Sequence, residues 1–139
     1  MRISIFLFAL LGVVGCKQSI SPEDLMLLNG YWEIQKVEFP DGQVKDYSFS
    51  SNIDYIEFEN PKGFRKKVKP QLDGTYKTSD DAEPFTISSK EGTFLMVYGQ
   101  ASTLWEETLV SVKENTFTVR NSDQKTYYYA RYQPLNLGQ

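Results

Sequence analysis

The chain has 139 residues, a formal charge of -3, one cysteine and no histidine. That length suits one domain with a real core, and the mildly acidic balance excludes a general attraction to nucleic acid or to an anionic membrane. One cysteine excludes an internal disulfide, and the missing histidines remove the commonest general base, the commonest metal ligand and every His-dependent triad.

Residues 1–15 read as a secretory signal: Arg2 supplies a positive start, Ile3 to Val14 is an almost unbroken apolar run, and Gly15 is a small residue before Cys16. The run is too short to span a bilayer as a helix, which takes about 20 residues. The sequence Val13-Val14-Gly15-Cys16 resembles the lipobox of bacterial lipoproteins. The resemblance implies cleavage before Cys16 and acylation of that cysteine. At roughly 0.8 kcal/mol per buried CH₂, two or three acyl chains anchor a protein stably where one does not. The expected state is therefore a lipid-anchored body outside the bilayer, with the membrane as its first partner. Lys17 does not match the Asp that favours inner-membrane retention in enterobacteria, and no acidic export cluster follows. The expected location is the outer membrane facing the periplasm, with the cell surface as the alternative.

Residues 16–21 form a short polar tether, and residues 22–139 form the folded domain. Ser21-Pro22-Glu23-Asp24 is a helix start, with a serine cap, proline in the first turn and acids at the positive end. Leu25 to Leu28 add about one turn before Asn29-Gly30 ends it. A helix this short does not hold alone, so its leucines are placed to plug one end of the body that follows.

From Gly30 onward the pattern is one of strands. Turn signals recur at Asp41-Gly42, Asn60 to Gly63, Asp73-Gly74, Lys90 to Gly92, Glu114-Asn115 and Asn121 to Asp123. Between them lie aromatic and β-branched runs: 31–39, 55–59, 64–69, 75–77, 85–88, 94–98, 104–112, 116–120 and 126–133. The stretch 68–85 reads poorly as strand. The pattern predicts an all-β antiparallel up-and-down barrel of about eight strands, preceded by one short helix, with a two-sheet sandwich as the alternative. Closure removes exposed edges. It also suits runs that are apolar on both faces, such as Phe94 to Tyr98.

Gly30-Tyr31-Trp32, a glycine, one residue and a tryptophan opening the first strand after a short helical turn, resembles the lipocalin Gly-x-Trp motif. The continuation through Tyr55-Ile56-Glu57-Phe58, Gly74-Thr75-Tyr76 and Tyr127 to Arg131 is similar to small lipocalin-like lipoproteins of Bacteroidetes type. The Thr-Asp-Tyr segment, disulfide and C-terminal helix of transport lipocalins are missing, so the resemblance is to a small calycin-type barrel. It implies that Trp32 crosses the closed end under Arg131, a structural plug rather than a ligand contact.

Catalytic groups are scarce. Glu106 and Glu107 are neighbours on a strand and face opposite sides, and Asp80-Asp81 reads as a solvated loop. Oxygen ligands for Ca²⁺ from Asp80, Asp81 and Glu83 match no known loop spacing. No metal, cofactor or enzymatic activity is expected. Lys62 to Lys69 is cation-rich. Arg65, Lys66, Lys67 and Lys69 would form either a patch for an anionic partner or, the simpler reading, a solvated edge strand guarded by lysines. Nine tyrosines, nine phenylalanines and two tryptophans either fill a small barrel or line a cavity. Tyr55, Phe58, Tyr76, Met96, Tyr98, Trp105 and Tyr129 are the candidate lining residues.

Two functions follow from this reading. One is a barrel that binds a small hydrophobic or amphipathic molecule or an envelope component. The other is a solid barrel that acts as a protein-interaction module, such as an envelope subunit or a hydrolase inhibitor. A cavity of at least about 300 Å³ with a few polar groups favours the first; a packed interior with a large exposed apolar patch favours the second.

Overall fold

The computed structural model describes residues 19–47, 51–79 and 81–134. The signal segment, the lipidation position Cys16 and Asp80 lie outside the described residues. A 3₁₀ helix, Pro22–Leu28, opens the fold, and ten strands follow: β1 (Gly30–Glu38), β2 (Val44–Asp46), β3 (Ile53–Glu59), β4 (Lys62–Pro70), β5 (Tyr76–Thr78), β6 (Glu83–Lys90), β7 (Thr93–Tyr98), β8 (Trp105–Val112), β9 (Thr116–Asn121) and β10 (Thr126–Arg131). Every pairing is antiparallel, in the order β10-β9-β8-β7-β6-β4-β3-β1, and β1 pairs with β10 to close the ring. The result is an eight-stranded barrel, with β2 added to β1 and β5 to β4. The sandwich alternative is excluded by that closure.

Two strands carry an extra residue. The register of β1 shifts between Ile34 and Lys36 against β10, and that of β8 between Leu109 and Ser111 against β9. Such bulges bend the strand and increase its twist, which helps a small sheet curl shut. The ladder loosens at one end. Strands β4 and β6 pair only over residues 62–65 and 83–86, after which β4 pairs with β5 instead. This exchange explains why 68–85 reads poorly as strand: its pairing is split between two partners and a turn.

The barrel axis has distinct ends. At one, Leu25 and Leu28 of the 3₁₀ helix are buried in the same core cluster as Trp32, Ile56, Phe58 and Phe117. Asn29 fastens the helix to β3 by accepting from Phe58 N at 2.7 Å and donating to Phe58 O at 3.1 Å. Trp32 is fully buried, donates Nε1–H to Leu28 O at 2.8 Å and meets the Phe117 ring edge-on at 4.7 Å. The Arg131 guanidinium lies 4.1 Å from the indole centroid and donates to Leu27 O and Asn29 O, each at 2.9 Å, and to Glu114 O at 2.7 Å. One arginine thus satisfies two otherwise free carbonyls at the end of the helix.

Gly30 explains its own place in the motif. Its φ of +125° is disfavoured for any other residue, and a Cβ there would come within 2.5 Å of Arg131 Nη1.

The cation-rich segment is not an edge. β4 is hydrogen-bonded to β3 along one side and to β6 and then β5 along the other. Alternation sends Arg65 and Lys67 to the side of Asp54, while Lys66 leans over the rings of Tyr55 and Phe64. Lys69 is exposed opposite Lys77. The pairing on both sides corrects the edge-strand expectation, and the expected patch is divided: Arg65, Lys66 and Lys67 border one cavity while Lys69 stands apart from it.

Candidate functional site

Above the plug, the interior is aromatic. One column runs from Trp32 through Phe117 to Tyr129, whose rings stack at 4.5 Å, and ends on Arg65, 5.0 Å above the Tyr129 ring. A second runs from Phe58 through Phe85 and Tyr98 to Trp105, which stacks on Tyr98 at 4.1 Å. Where the columns stop, at the end opposite the plug, a cavity of about 400 Å³ opens. Its floor is ionic and its wall aromatic.

Arg65 organises the floor. Its Nη2 donates to Tyr129 Oη at 2.7 Å and to Asp54 Oδ2 at 3.1 Å, and its Nη1 reaches Tyr98 Oη at 3.4 Å. Glu107 Oε1 stands 3.7 Å from Nη1, an ion pair too long for a hydrogen bond. Lys67 Nζ approaches Asp54 Oδ1 to 2.6 Å, a charge contact outside the angular range of a hydrogen bond. The side chains of Arg65, Asp54 and Glu107 are only 11, 4 and 9 % exposed, whereas that of Lys67 is 65 % exposed.

Burial acts against the Arg65 charge, but Tyr129, Asp54, Tyr98 and Glu107 together hold its pKa well above the ordinary value. Burial also raises the Asp54 carboxyl, yet Arg65 and Lys67 outweigh it and hold the group below its ordinary 3.8. Glu107 goes the other way. Burial pushes it up, Arg65 offsets this only in part, and the Asp54 charge adds to the rise. Burial likewise drives the Tyr129 phenol up to about 12, so it stays protonated beside Arg65.

Of the seven candidate lining residues, Trp105 and Tyr129 border the cavity. Phe58, Met96 and Tyr98 are buried beneath it as core. Tyr55 and Tyr76 are corrected: both stand on the outer face of the barrel, where their rings lie 4.9 Å and 4.2 Å from that of Tyr31. Residues 54, 56 and 58 point inward, so Tyr55 between them points out.

Asp54, Glu107, Asn121 and Tyr127 also border the cavity and were not foreseen there. The signal was strand phase. Asp54 shares its parity with buried Ile56 and Phe58, and Glu107 shares its parity with buried Leu109. A charge on an otherwise apolar face marks a built polar site more often than a solvated one. Among the described residues no cluster of His, Cys, Asp or Glu could hold a metal ion, and no helix is long and apolar enough to cross a membrane.

No curated protein matches the chain. Solved structures of similar fold include a lipocalin-like protein from Bacteroides uniformis, with a TM-score of 0.48 and 10 % identity over 76 % of this chain and 99 % of that one. An uncharacterized protein from Bacteroides eggerthii gives 0.48 and 11 % over 76 % and 99 %, and apocrustacyanin C1 gives 0.47 and 9 % over 80 % and 64 %. The family model of the lipocalin-like domain matches residues 28–119, a span that runs from the last helical residue into β9. The chain belongs to the lipocalin-like domain family.

Proposed function

We propose that the protein is a non-catalytic, lipid-anchored binding protein of the cell envelope that holds a small amphipathic molecule in the open end of its barrel. The observation that carries this reading is the cavity of about 400 Å³, with the Arg65–Asp54–Glu107 floor on one side and Trp105, Tyr127 and Tyr129 on another. That volume lies within the range of small-molecule sites, roughly 300–1,000 Å³, and the mixture of ring faces and a few converging polar groups is what such sites use. It favours a ligand over a solid barrel acting only through its surface.

The anchor reading rests on the lipobox-like Val13-Val14-Gly15-Cys16 and on the absence of any other cysteine that acylation would compromise. The outer membrane facing the periplasm is the proposed location. The ionic floor refines the ligand class. A purely hydrophobic guest would leave Glu107, whose one ion pair is 3.7 Å long, desolvated without a hydrogen bond, so the guest carries a polar group at its inner end.

Native mass spectrometry of the detergent-extracted, lipid-bearing protein tests the reading. The expected result is a small adduct released on collisional activation and depleted in Trp105→Ala, which removes an aromatic wall while leaving the core intact. A protein that is consistently empty, together with a Trp105 signal unmoved by a library of small amphipathic compounds, rejects it.

A further inference from the structure

We infer that the cavity selects a ligand bearing a positively charged amine, received by Glu107 and the indole face of Trp105; this deepens the reading of the cavity as a binding site and rests on it. Five carboxylates and three cations border the cavity, but the two sides are not equally free. Arg65 is held by Asp54 at 3.1 Å and by Tyr129 at 2.7 Å, and Lys67 by Asp54 at 2.6 Å. Lys66, at the rim, leans over the rings of Tyr55 and Phe64. Asp81, Glu83 and Glu106 are exposed and make no ion pair among the described residues. Arg65 and Lys67 are thus already paired, whereas Asp81, Glu83 and Glu106 are not and Glu107 is paired only at a distance.

Glu107 is the decisive group. Its side chain is 9 % exposed, it lines the cavity, it makes no hydrogen bond among the described residues, and its one cation is 3.7 Å away and shared with Asp54. A buried carboxylate in that position has unused acceptor capacity directed at whatever fills the cavity. An anionic guest would meet this charge at close range. A primary ammonium would supply the missing donors.

Trp105 adds the second half of the recognition. It precedes Glu107 by two residues on β8, so both side chains project to the same side of the strand. One face of its indole is stacked on Tyr98 at 4.1 Å, and the residue is 43 % exposed. The remaining face is available to a cation, which an indole attracts more strongly than any other ring does. Exposed Asp81 and Glu83 sit where β4 and β6 part and give the approach a negative rim.

The test compares three probes of nearly equal size by isothermal titration calorimetry and by the Trp105 indole N–H resonance, assigned with Trp105→Phe. The probes are 2-phenylethylammonium, 2-phenylethanol and 3-phenylpropanoate. The ammonium is expected to bind saturably and at least about tenfold more tightly than the alcohol, with the carboxylate weaker still. Glu107→Gln, which keeps the shape and removes the charge, is expected to abolish that preference and leave alcohol binding unchanged. Equal binding of ammonium and alcohol, or an ammonium preference that survives in Glu107→Gln, overturns the proposal while leaving the cavity a binding site. No saturable response to any probe also overturns it. The broader reading then stands or falls on the native mass spectrum.

Discussion

Asp54 and Glu107 are both buried carboxylates facing Arg65, yet their environments push them in opposite directions. Asp54 touches two cations and is held below its ordinary 3.8; Glu107 has one distant, shared partner and is held above its ordinary 4.5. The signs of their linkage to stability differ accordingly. For Asp54, the folded value lies below the unfolded one, so its contribution is complete above about pH 3.8 and is lost as pH falls through the depressed folded value. Arg65 supplies most of it, because Lys67 is exposed and its pairing is screened. Asp54→Asn is therefore expected to lower stability at neutral pH by about 1–3 kcal/mol. Urea titrations across pH should show the gap to the native protein closing below about pH 3.8. A gap that stays constant into acid would remove the charge interaction as its cause. Glu107 has the reverse sign: its ionised form weakens the fold, and protonation relieves that penalty as pH falls toward 4.5.

At the scale of elements, the plug is the feature that the residues foretold. Gly-x-Trp opens β1, and the structure puts Trp32 under Arg131 with the 3₁₀ helix across both. The helix is too short to stand alone, so its place depends on these contacts. Trp32→Ala is expected to cost about 3–5 kcal/mol, read as a lower denaturant midpoint. An unchanged midpoint would show that the end of the barrel is held by something else. Strand β4 is the opposite case. Its lysines suggested an edge, because lysine commonly guards one, but its neighbours are set by chain closure rather than by its own composition. Nothing local distinguishes a cation that guards an edge from one that points inward to a buried acid. The phase of β3 and β8 did carry that information, since Asp54 and Glu107 interrupt otherwise apolar inward faces. Tyr55 shows the same rule from the other side. It has the right chemistry for a cavity and the wrong parity.

At the scale of the whole molecule, the fold places a plugged apolar end and an ionic open end along one barrel axis, and the proposed anchor lies upstream of the plug. The helix begins six residues after Cys16, so an acylated Cys16 would hold the plugged end toward the bilayer side of the tether. Cys16→Ser is expected to abolish incorporation of labelled palmitate into the protein and to leave the apolar segment before residue 16 uncleaved, read as a heavier intact mass. A native protein that takes up no labelled palmitate would dismiss the lipid anchor. The two readings are independent: the anchor determines where the barrel sits, and the cavity determines what it holds.

The sequence by itself determined the class of this protein: one all-β domain with turns at its Gly and Asn positions, a short capping helix, the Gly-Tyr-Trp opening and a scarcity of catalytic groups. These are local properties, written in alternation, turn chemistry and composition. Only the tertiary structure decided that β1 closes on β10, that β4 lies inside the sheet, and that Arg65, Asp54, Glu107 and Trp105 meet at one cavity. Such contacts join residues from strands far apart in the chain, and a one-residue change of register would turn each of them outward.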